Sequence, residues 1–389
     1  MSSSYKLLST NTVSQKRIAL LTTLLCILIL TFFVFNIPAF RSHDLSEYET
    51  IKKNCSGKQI VLFWTKFFET DDFYVGLGIK PFKKCKIFSC CSTNNRNFLD
   101  ISDAIIFHIR DLDLNDMPPR RSVHQRWIFF LQESPLHTPN ILYDLNNVFN
   151  WTMTFRIDSD IFSPYPVIET TPGSVLELQI WNTTFNSNKL KNNVRRKKKM
   201  VAWFVSNCIT TSGREKYVSE LKKYVDVDVY GACGTLTCSN HIECYKMLER
   251  EYKFYLAFEN SICKDYVTEK FYNALLFNVV PVVYGGANYH LFAPKNSFVD
   301  VRDFASVHDL AEYLTFLDRN DSAYMRYFDW RKTPPGLSLL PRTNQGWCEL
   351  CSMLNNNSLP SRSYSNIHSW WFEKGQCEKD RTSIKKLAI

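Results

Sequence analysis

The sequence predicts an α/β protein built from two parallel-sheet domains, and three observations lead there. Its 389 residues give room for about two domains of ordinary size, each able to bury its own core. Apolar runs of strand length recur in two separate series, with turn-forming residues or helical periodicity between them. Within the second series, residues 251–285 read as a complete strand, helix and strand, the repeating unit of a doubly wound sheet.

At the N-terminus, residues 18–35 carry no charge and are almost wholly apolar, with Lys16 and Arg17 immediately before them. Such a run is near the minimum of about 17 residues that crosses a bilayer, and its basic flank is the side expected to stay cytosolic. A cleaved signal peptide is the competing reading, but the run is longer than a usual signal core and no clear small-residue cleavage site follows. The expectation is a cytosolic tail over 1–17, a signal anchor over 18–40 and a polar stem over 41–58. A span this short suits the thinner membranes of the early secretory pathway.

The first domain is expected over 59–170. Runs at 60–64, 104–108 and 127–131 fit a parallel sheet with helices on its faces. Residues 171–199 are polar, contain Pro172 and Gly173 and end in the basic run from Arg195 to Lys199, which makes them the candidate linker. The second domain, 200–347, opens with a strand at 200–205, a helix at 214–224 and a strand at 227–230. A strand at 254–258 follows. Thr268 is a good N-cap, Phe271, Ala274 and Leu275 fall on one helical face, and Asn278 sits where a helix commonly stops. A last strand at 279–284 ends at Gly285 and Gly286. Beyond Trp347 the chain, residues 348–389, is irregular and bears cysteines.

Composition agrees with a folded protein, and no internal repeat or long low-complexity segment is present. The net charge of +9 is modest for the size, and no aromatic-interleaved basic motif or zinc-finger spacing accompanies it, so nucleic acid is a poor partner. Gly76-Leu77-Gly78 lacks the third glycine of a dinucleotide fingerprint. There is no Walker loop, no His-Glu-x-x-His and no Gly-x-Ser-x-Gly. Cys26 lies within the apolar run, which leaves an even number of cysteines for an oxidising compartment. Cys348 and Cys351 read as disulfide partners or as half of a zinc site, but no second pair with convincing ligand spacing follows. Sequons at Asn54, Asn150, Asn182, Asn320 and Asn356 are usable only on the secretory side of a membrane.

The chemistry concentrates in the unit at 251–285. In such a unit ligands gather at the carboxyl ends of the strands, where free N–H groups and the helix dipole attract an anion. Glu259, Asn260, Tyr266, Glu269 and Lys270 all fall at that edge. The stretch Phe258-Glu259-Asn260-Ser261, then Asp265-Tyr266-Val267-Thr268-Glu269-Lys270, then Val280-Pro281-Val282-Val283, resembles the sugar-nucleotide signature of the α1,3-fucosyltransferases. Similarity also appears at Phe204-Val205-Ser206-Asn207, at Tyr230-Gly231, from Arg156 through Ile161 to Pro164-Tyr165, and at Glu133-Ser134-Pro135 followed by His137-Thr138-Pro139. It covers roughly residues 60–351.

The resemblance implies the GT-B arrangement, two Rossmann-like domains facing each other across a cleft. It implies an inverting transfer of L-fucose from GDP-β-L-fucose to the 3-hydroxyl of a GlcNAc in a glycan acceptor, by an enzyme of the Golgi membrane with its catalytic part in the lumen. No permanently bound cofactor is expected. Such transfer needs a base for the acceptor hydroxyl and cations or N–H donors for the departing diphosphate. The resemblance assigns the base to Glu133, which otherwise reads as a turn residue, and the diphosphate to Arg214 and Lys270. Lys270 falls in the first turn of a helix, where the dipole disfavours a cation, and a bound anion would resolve that conflict. Glu269 is placed against the donor sugar or ribose, with Ser206, Asn207, Asn260 and Tyr266 as further donor contacts. Glu259 reads equally as a donor contact or as a structural carboxylate. Tyr165 and Tyr230 stand near the donor or simply pack. Asp158-Ser159-Asp160 has the form of a metal-diphosphate motif, but its surroundings match the fucosyltransferase block, in which Arg and Lys carry the phosphate charge. No catalytic metal is expected, with room left for stimulation by divalent ions. The same blocks look closer to the branch acting on terminal N-acetyllactosamine antennae than to the branch fucosylating the innermost GlcNAc of N-glycans. Related enzymes tie the pair corresponding to Cys348 and Cys351 back to the first domain, so bridges to Cys85 and to Cys90 or Cys91 are expected.

Overall fold

The computed structural model describes residues 20–25, 48–49, 51–165, 187–332 and 344–378. Of the expected anchor only residues 20–25 are described, and they are helical. Among the described residues no helix is long and apolar enough to cross a membrane. The tail over 1–17, the sequon at Asn182 and most of the stem lie outside the described residues. The chain divides into two compact units, Met1–Ser56 and Gly57–Ile389, and the second carries everything described below.

This unit contains two all-parallel sheets. The first runs β1 (Gln59–Phe63), β2 (Cys90–Thr93), β3 (Ala104–His108), β4 (Arg126–Leu131), β5 (Trp151–Thr154) and β6 (Ile161–Phe162), in the spatial order β2-β1-β3-β4-β5-β6. Three of these match the long apolar runs; β2, β5 and β6 are too short and mixed to show as strands in the sequence. The expected helices on its faces are not there. Between β1 and β6 the connections hold only short 3₁₀ turns, because those intervals lack an apolar repeat of helical period.

The faces are covered from elsewhere. On one side Val61, Phe63, Ile106, Ile128 and Phe130 pack against Trp347, Leu350 and Cys351. On the other, Leu62, Phe107, Phe129 and Leu131 pack against Ile367, Trp370 and Trp371. These covering residues belong to the C-terminal segment and add to Phe73 and Phe82 on the first face and Leu142, Leu145 and Phe149 on the second, which come from the first domain's own loops. The last part of the chain thus completes the core of the first sheet. Parallel sheets need both faces buried, and this one borrows part of its cover.

The second sheet is conventionally wound. Its strands β7 (Lys199–Phe204), β8 (Val227–Tyr230), β9 (Tyr252–Phe258), β10 (Val280–Tyr284) and β11 (Val299–Asp300) lie in the order β11-β10-β9-β7-β8. Helix α1 (Ser187–Arg196), α2 (Arg214–Leu221) and α5 (Val307–Arg319) contribute Val194, Leu221 and Leu314 to one face. Helix α3 (His241–Glu251) and α4 (Glu269–Leu276) contribute Leu248 and Phe271 to the other. Helix α1 occupies the C-terminal part of the stretch expected as linker, and residues 171–186 of that stretch, with 166–170 before them, lie outside the described residues. Asn278 adopts a left-handed φ of 49° just past α4, which ends the helix as its sequence position suggested.

Covalent and polar locks hold the C-terminal segment in place. Cys348 and Cys351, on α6 (Gln345–Leu354), bond to Cys85 and Cys90, so these cysteines do not hold zinc. Cys91, whose side chain leaves the strand on the opposite face, is disulfide-bonded elsewhere, as is every cysteine among the described residues. Cys263 in the second domain bonds to Cys377. Arg156, fully buried, grips Asp158 through two N–H bonds of 2.8 and 2.5 Å and donates to the Trp370 carbonyl at 2.5 Å. Its guanidinium also stands 4.4 Å from the Trp370 ring centroid. Burial alone would push the Asp158 carboxyl up, but Arg156 and Lys264 outweigh it and hold it below its ordinary value. Asp160 accepts from the Thr152 backbone N–H and from the Tyr364 hydroxyl, each at 2.8 Å.

Two stability outcomes follow. With Cys85–Cys348 closed, Cys90–Cys351 adds only a short ring, so Cys90→Ser with Cys351→Ser should cost about 2.5 kcal/mol in the chain-entropy account. Removing both bridges opens the whole long loop and should cost about 8 kcal/mol at most. Denaturant unfolding of the three proteins checks the ratio, and equal losses would contradict it. Arg156→Ala removes the buried donor to the Trp370 carbonyl, while the exposed Asp158 carboxylate keeps solvent and Lys264, a loss of roughly 1–3 kcal/mol for an unsatisfied buried acceptor. Fluorescence of the tail tryptophans should report early release of this segment, and a wild-type midpoint would contradict the assignment.

Candidate active site

The carboxyl ends of β4 and β9 meet. Two residues beyond β4 stands Glu133, half-buried, and its carboxylate makes no hydrogen bond or ion pair among the described residues. The next residue, Ser134, donates its hydroxyl to Ser261 Oγ at 2.8 Å, just past β9. His137 Nδ1 lies 3.2 Å from Ser134 Oγ and 3.4 Å from Ser261 Oγ. Burial holds His137 below its ordinary pKa while Glu133 pulls the other way. Sequence reasoning gave no role to Ser134, His137 or Ser261, although all three sit inside the motifs that carried the resemblance. Their importance is relational, since each matters by meeting the other domain.

On the second domain a cluster of charges forms at the N-terminus of α4. Glu259 is fully buried and accepts from the Thr268 backbone N–H at 2.9 Å and from the Thr268 hydroxyl at 2.9 and 3.1 Å. Thr268 therefore does not cap with its own side chain. Its hydroxyl and its own backbone N–H both donate to Glu259. Burial pushes the Glu259 carboxyl up, with Lys270 pulling it down. The structural alternative for Glu259 is the one its bonds fit.

Lys270 Nζ bonds Thr268 Oγ1 at 2.9 Å and Glu269 Oε1 at 3.1 Å, with Glu259 Oε2 at 3.7 Å. Burial works against its charge, yet Glu269 and Glu259 prevail and hold Lys270 above its ordinary value. Glu269 is held below its own, because Lys270 outweighs the burial that would raise it. Arg214, almost wholly buried, begins α2 and reaches back to the Phe258 carbonyl at 2.6 Å and the Asn207 carbonyl at 3.2 Å. Its Nε has no partner. Burial lowers its pKa and the Glu259 charge opposes that; a guanidinium stays charged under such a shift.

Asn260 is fixed through its backbone carbonyl, which accepts from Ser212 N at 3.2 Å and Thr211 Oγ1 at 3.1 Å, while its buried Oδ1 has no partner. Tyr266 and Tyr165 bring their hydroxyls to 3.4 Å, and both phenols are held protonated by burial and by the charge on Glu133. Ser206 and Asn207 are exposed at the end of β7. Beside them Gly231 has φ +99°, and a Cβ there would lie 2.5 Å from the Val205 carbonyl oxygen, which only glycine tolerates. Tyr230 is not brought to this edge: its hydroxyl bonds Tyr252 at 2.8 Å within the core, the packing alternative. Asp158 and Asp160 are engaged by Arg156 and by Thr152 and Tyr364, so their carboxylates are not presented as a metal pair.

The arrangement unites a carboxylate from the first domain, unpartnered among the described residues, with the buried Arg214, the half-buried Lys270 and a helix N-terminus from the second. Such a set can take a proton from one reactant and stabilise an anion on another.

Comparison with known proteins agrees with this geometry. Residues 194–370 match the family model for the glycosyltransferase family 10 (fucosyltransferase) C-terminal region, and residues 56–166 match that for the fucosyltransferase N-terminal region. The chain is 38% identical over 333 residues to alpha-(1,3)-fucosyltransferase C of Drosophila melanogaster, covering 80% of this chain and 77% of that protein. It is 36% identical over 346 residues to glycoprotein 3-alpha-L-fucosyltransferase A of the same organism, covering 85% of this chain and 63% of the relative. A crystal structure of an alpha1,3-fucosyltransferase superposes with a TM-score of 0.52 at 15% identity over 80% of this chain and 93% of that one, which shows a shared fold. Two domain matches and relatives of this identity establish the lineage: the chain belongs to glycosyltransferase family 10, the fucosyltransferases.

Proposed function

We propose that this protein transfers L-fucose from GDP-β-L-fucose to the 3-hydroxyl of a GlcNAc residue in glycoprotein or glycolipid glycans, with inversion, at the lumenal side of the Golgi membrane. The observation that carries the reading is the half-buried Glu133 carboxylate, without a hydrogen-bond or ion-pair partner among the described residues, at the strand edge that meets the Arg214 and Lys270 cluster. In this mechanism Glu133 accepts the proton of the acceptor hydroxyl as its oxygen attacks the anomeric carbon of fucose. The bond from that carbon to the diphosphate oxygen breaks, and the charge left on GDP falls to Lys270, Arg214 and the N-terminus of α4. Attack opposite the leaving group inverts the anomeric centre. Glu269 and Asn260 are suited to sugar or ribose hydroxyls, the first as acceptor and the second through its unpartnered Oδ1. Ser134, His137 and Ser261 act as positioning residues that keep the two edges in register.

Support for the donor comes from a structural neighbour described as an alpha1,3-fucosyltransferase with GDP-fucose, alike in fold at a TM-score of 0.50 and 18% identity over 79% of this chain and 93% of that one. Names among the relatives support the α1,3 linkage. Antennal N-acetyllactosamine is the favoured acceptor, on the motifs around Glu133 and Asp158. Five disulfides among the described pairs favour an oxidising compartment, and the apolar run at 18–40 with its basic flank supports a single-pass type II anchor.

Incubation with labelled GDP-fucose and a panel of defined glycans tests the whole reading, and failure to transfer to any GlcNAc-bearing acceptor would refute it. Glu133→Gln should lower kcat by about 100-fold or more while GDP binding stays near wild type. Normal turnover by the folded variant would remove Glu133 from the role of base. Lys270→Ala should weaken GDP more than guanosine, by roughly 1.5–3 kcal/mol for a lost charge-assisted contact. Calorimetry with both ligands decides it, and Arg214→Ala, read alongside its unfolding curve, should show the same selectivity. Equal loss for the two ligands would argue against contact with the diphosphate.

A further inference from the structure

We propose that a cavity beside Glu133 in the first domain is a subsite for the distal sugars of a neutral oligosaccharide, and that its charge turns away acceptors bearing carboxylate or sulfate. The proposal rests on the transfer reading above and deepens it. The cavity, about 410 Å³, opens where β1, β2 and β3 end, with Trp64, Lys66 and Arg96 in its wall. In a parallel sheet those ends lie on the same edge as the end of β4. With strands roughly 5 Å apart, β1 is about 10 Å from the strand that carries Glu133, the reach of a short oligosaccharide. A bridge already joins the two places. Arg110 donates to the His137 carbonyl at 3.2 Å, and its guanidinium stands 5.6 Å from the centroid of Phe68 on the loop after β1.

The lining suits hydroxyl-rich ligands of zero charge. Glu69, Asp71, Asp111, Asp113 and Asp116 face only Lys66 and Arg96, and carboxylates are acceptors that sugar hydroxyls satisfy well. Trp64 supplies an apolar wall, stacked beneath Arg96 at 4.0 Å. Some of these charges are already answered: Arg96 pairs with Asp116 at 2.6 and 2.8 Å, and Asp111 accepts from the Phe68 backbone N–H and contacts His108 Nδ1, each at 2.8 Å. Burial holds His108 below its ordinary pKa, so it adds little positive charge. Glu69 and Asp71 are exposed and make no hydrogen bond or ion pair among the described residues. Their charge is left to act on whatever enters. An anionic sugar would meet uncompensated like charge in a recess that focuses the field, which gives specificity by repulsion.

The test uses the full-length chain with N-acetyllactosamine oligosaccharides that are neutral, sialylated or sulfated. Binding is followed by saturation-transfer NMR and turnover by fucose transfer. The neutral chain should be favoured over its anionic counterparts by roughly 10-fold at low ionic strength, and the preference should shrink near 1 M salt, where the screening length falls to about 3 Å. Glu69→Gln with Asp71→Asn should raise KM for the neutral chain, lower it for the anionic ones, and so move their ratio several-fold. Equal binding of neutral and anionic chains, absence of binding by either, or a ratio untouched by both salt and the double variant overturns the subsite. Charge-selective binding without any transfer leaves the subsite standing and overturns the fucosyl-transfer reading instead.

Discussion

A parallel sheet without helices of its own is the constraint on which this molecule depends. The first domain provides six strands and only 3₁₀ turns between them, so the local chain, with Phe73, Phe82, Leu142 and Phe149, covers only part of each sheet face. Trp347 and Leu350 close one face, and Trp370 and Trp371 close the other. Large aromatics are efficient for this, since each buries on the order of 150–250 Å². The two domains are thus joined through a shared core, and the end of the chain is part of the beginning's fold.

That dependence explains where the strongest polar locks lie. Arg156 is fully buried and unites the turn after β5 with the backbone of Trp370, and Asp160 holds Tyr364 from the same turn. A buried guanidinium would be costly without such partners. The disulfides to Cys85 and Cys90 fasten one end of the returning segment to the first sheet, and Cys263–Cys377 fastens its other end to the loop that carries Tyr266. The loop that presents part of the site is therefore tied to the tail that completes the opposite domain. A close approach without side chains secures the same region: a Cβ on Gly286 would come within 2.7 Å of the Cys263 carbonyl oxygen.

At the site itself, the electrostatic balance is local and nearly neutral. Lys270 and Arg214 are set against Glu259 and Glu269 within the same edge, which keeps buried cations tolerable while no anion is bound. Glu259 contributes at the helix terminus by accepting the backbone N–H and the hydroxyl of the N-cap residue Thr268. A diphosphate arriving here would meet cations whose positions are already fixed, so little reorganisation remains for the reacting state.

Much of this was legible from sequence because it is written in neighbouring residues. The strand, helix and strand of 251–285, the stop at Asn278, and the gathering of Glu259, Asn260, Glu269 and Lys270 at one edge follow from periodicity, capping and the geometry of a βαβ unit. The apolar strands β3 and β4 were equally plain. What the residues could not reveal locally were the short strands β2, β5 and β6, the missing helices of the first domain, the choice of Cys90 over Cys91, and the inward turn of Tyr230. Each of these depends on which distant segment supplies burial or a hydrogen-bond partner. Local propensity determines where chain can be strand or helix, whereas pairing across two hundred residues decides which face is covered and which side chain is left free for chemistry.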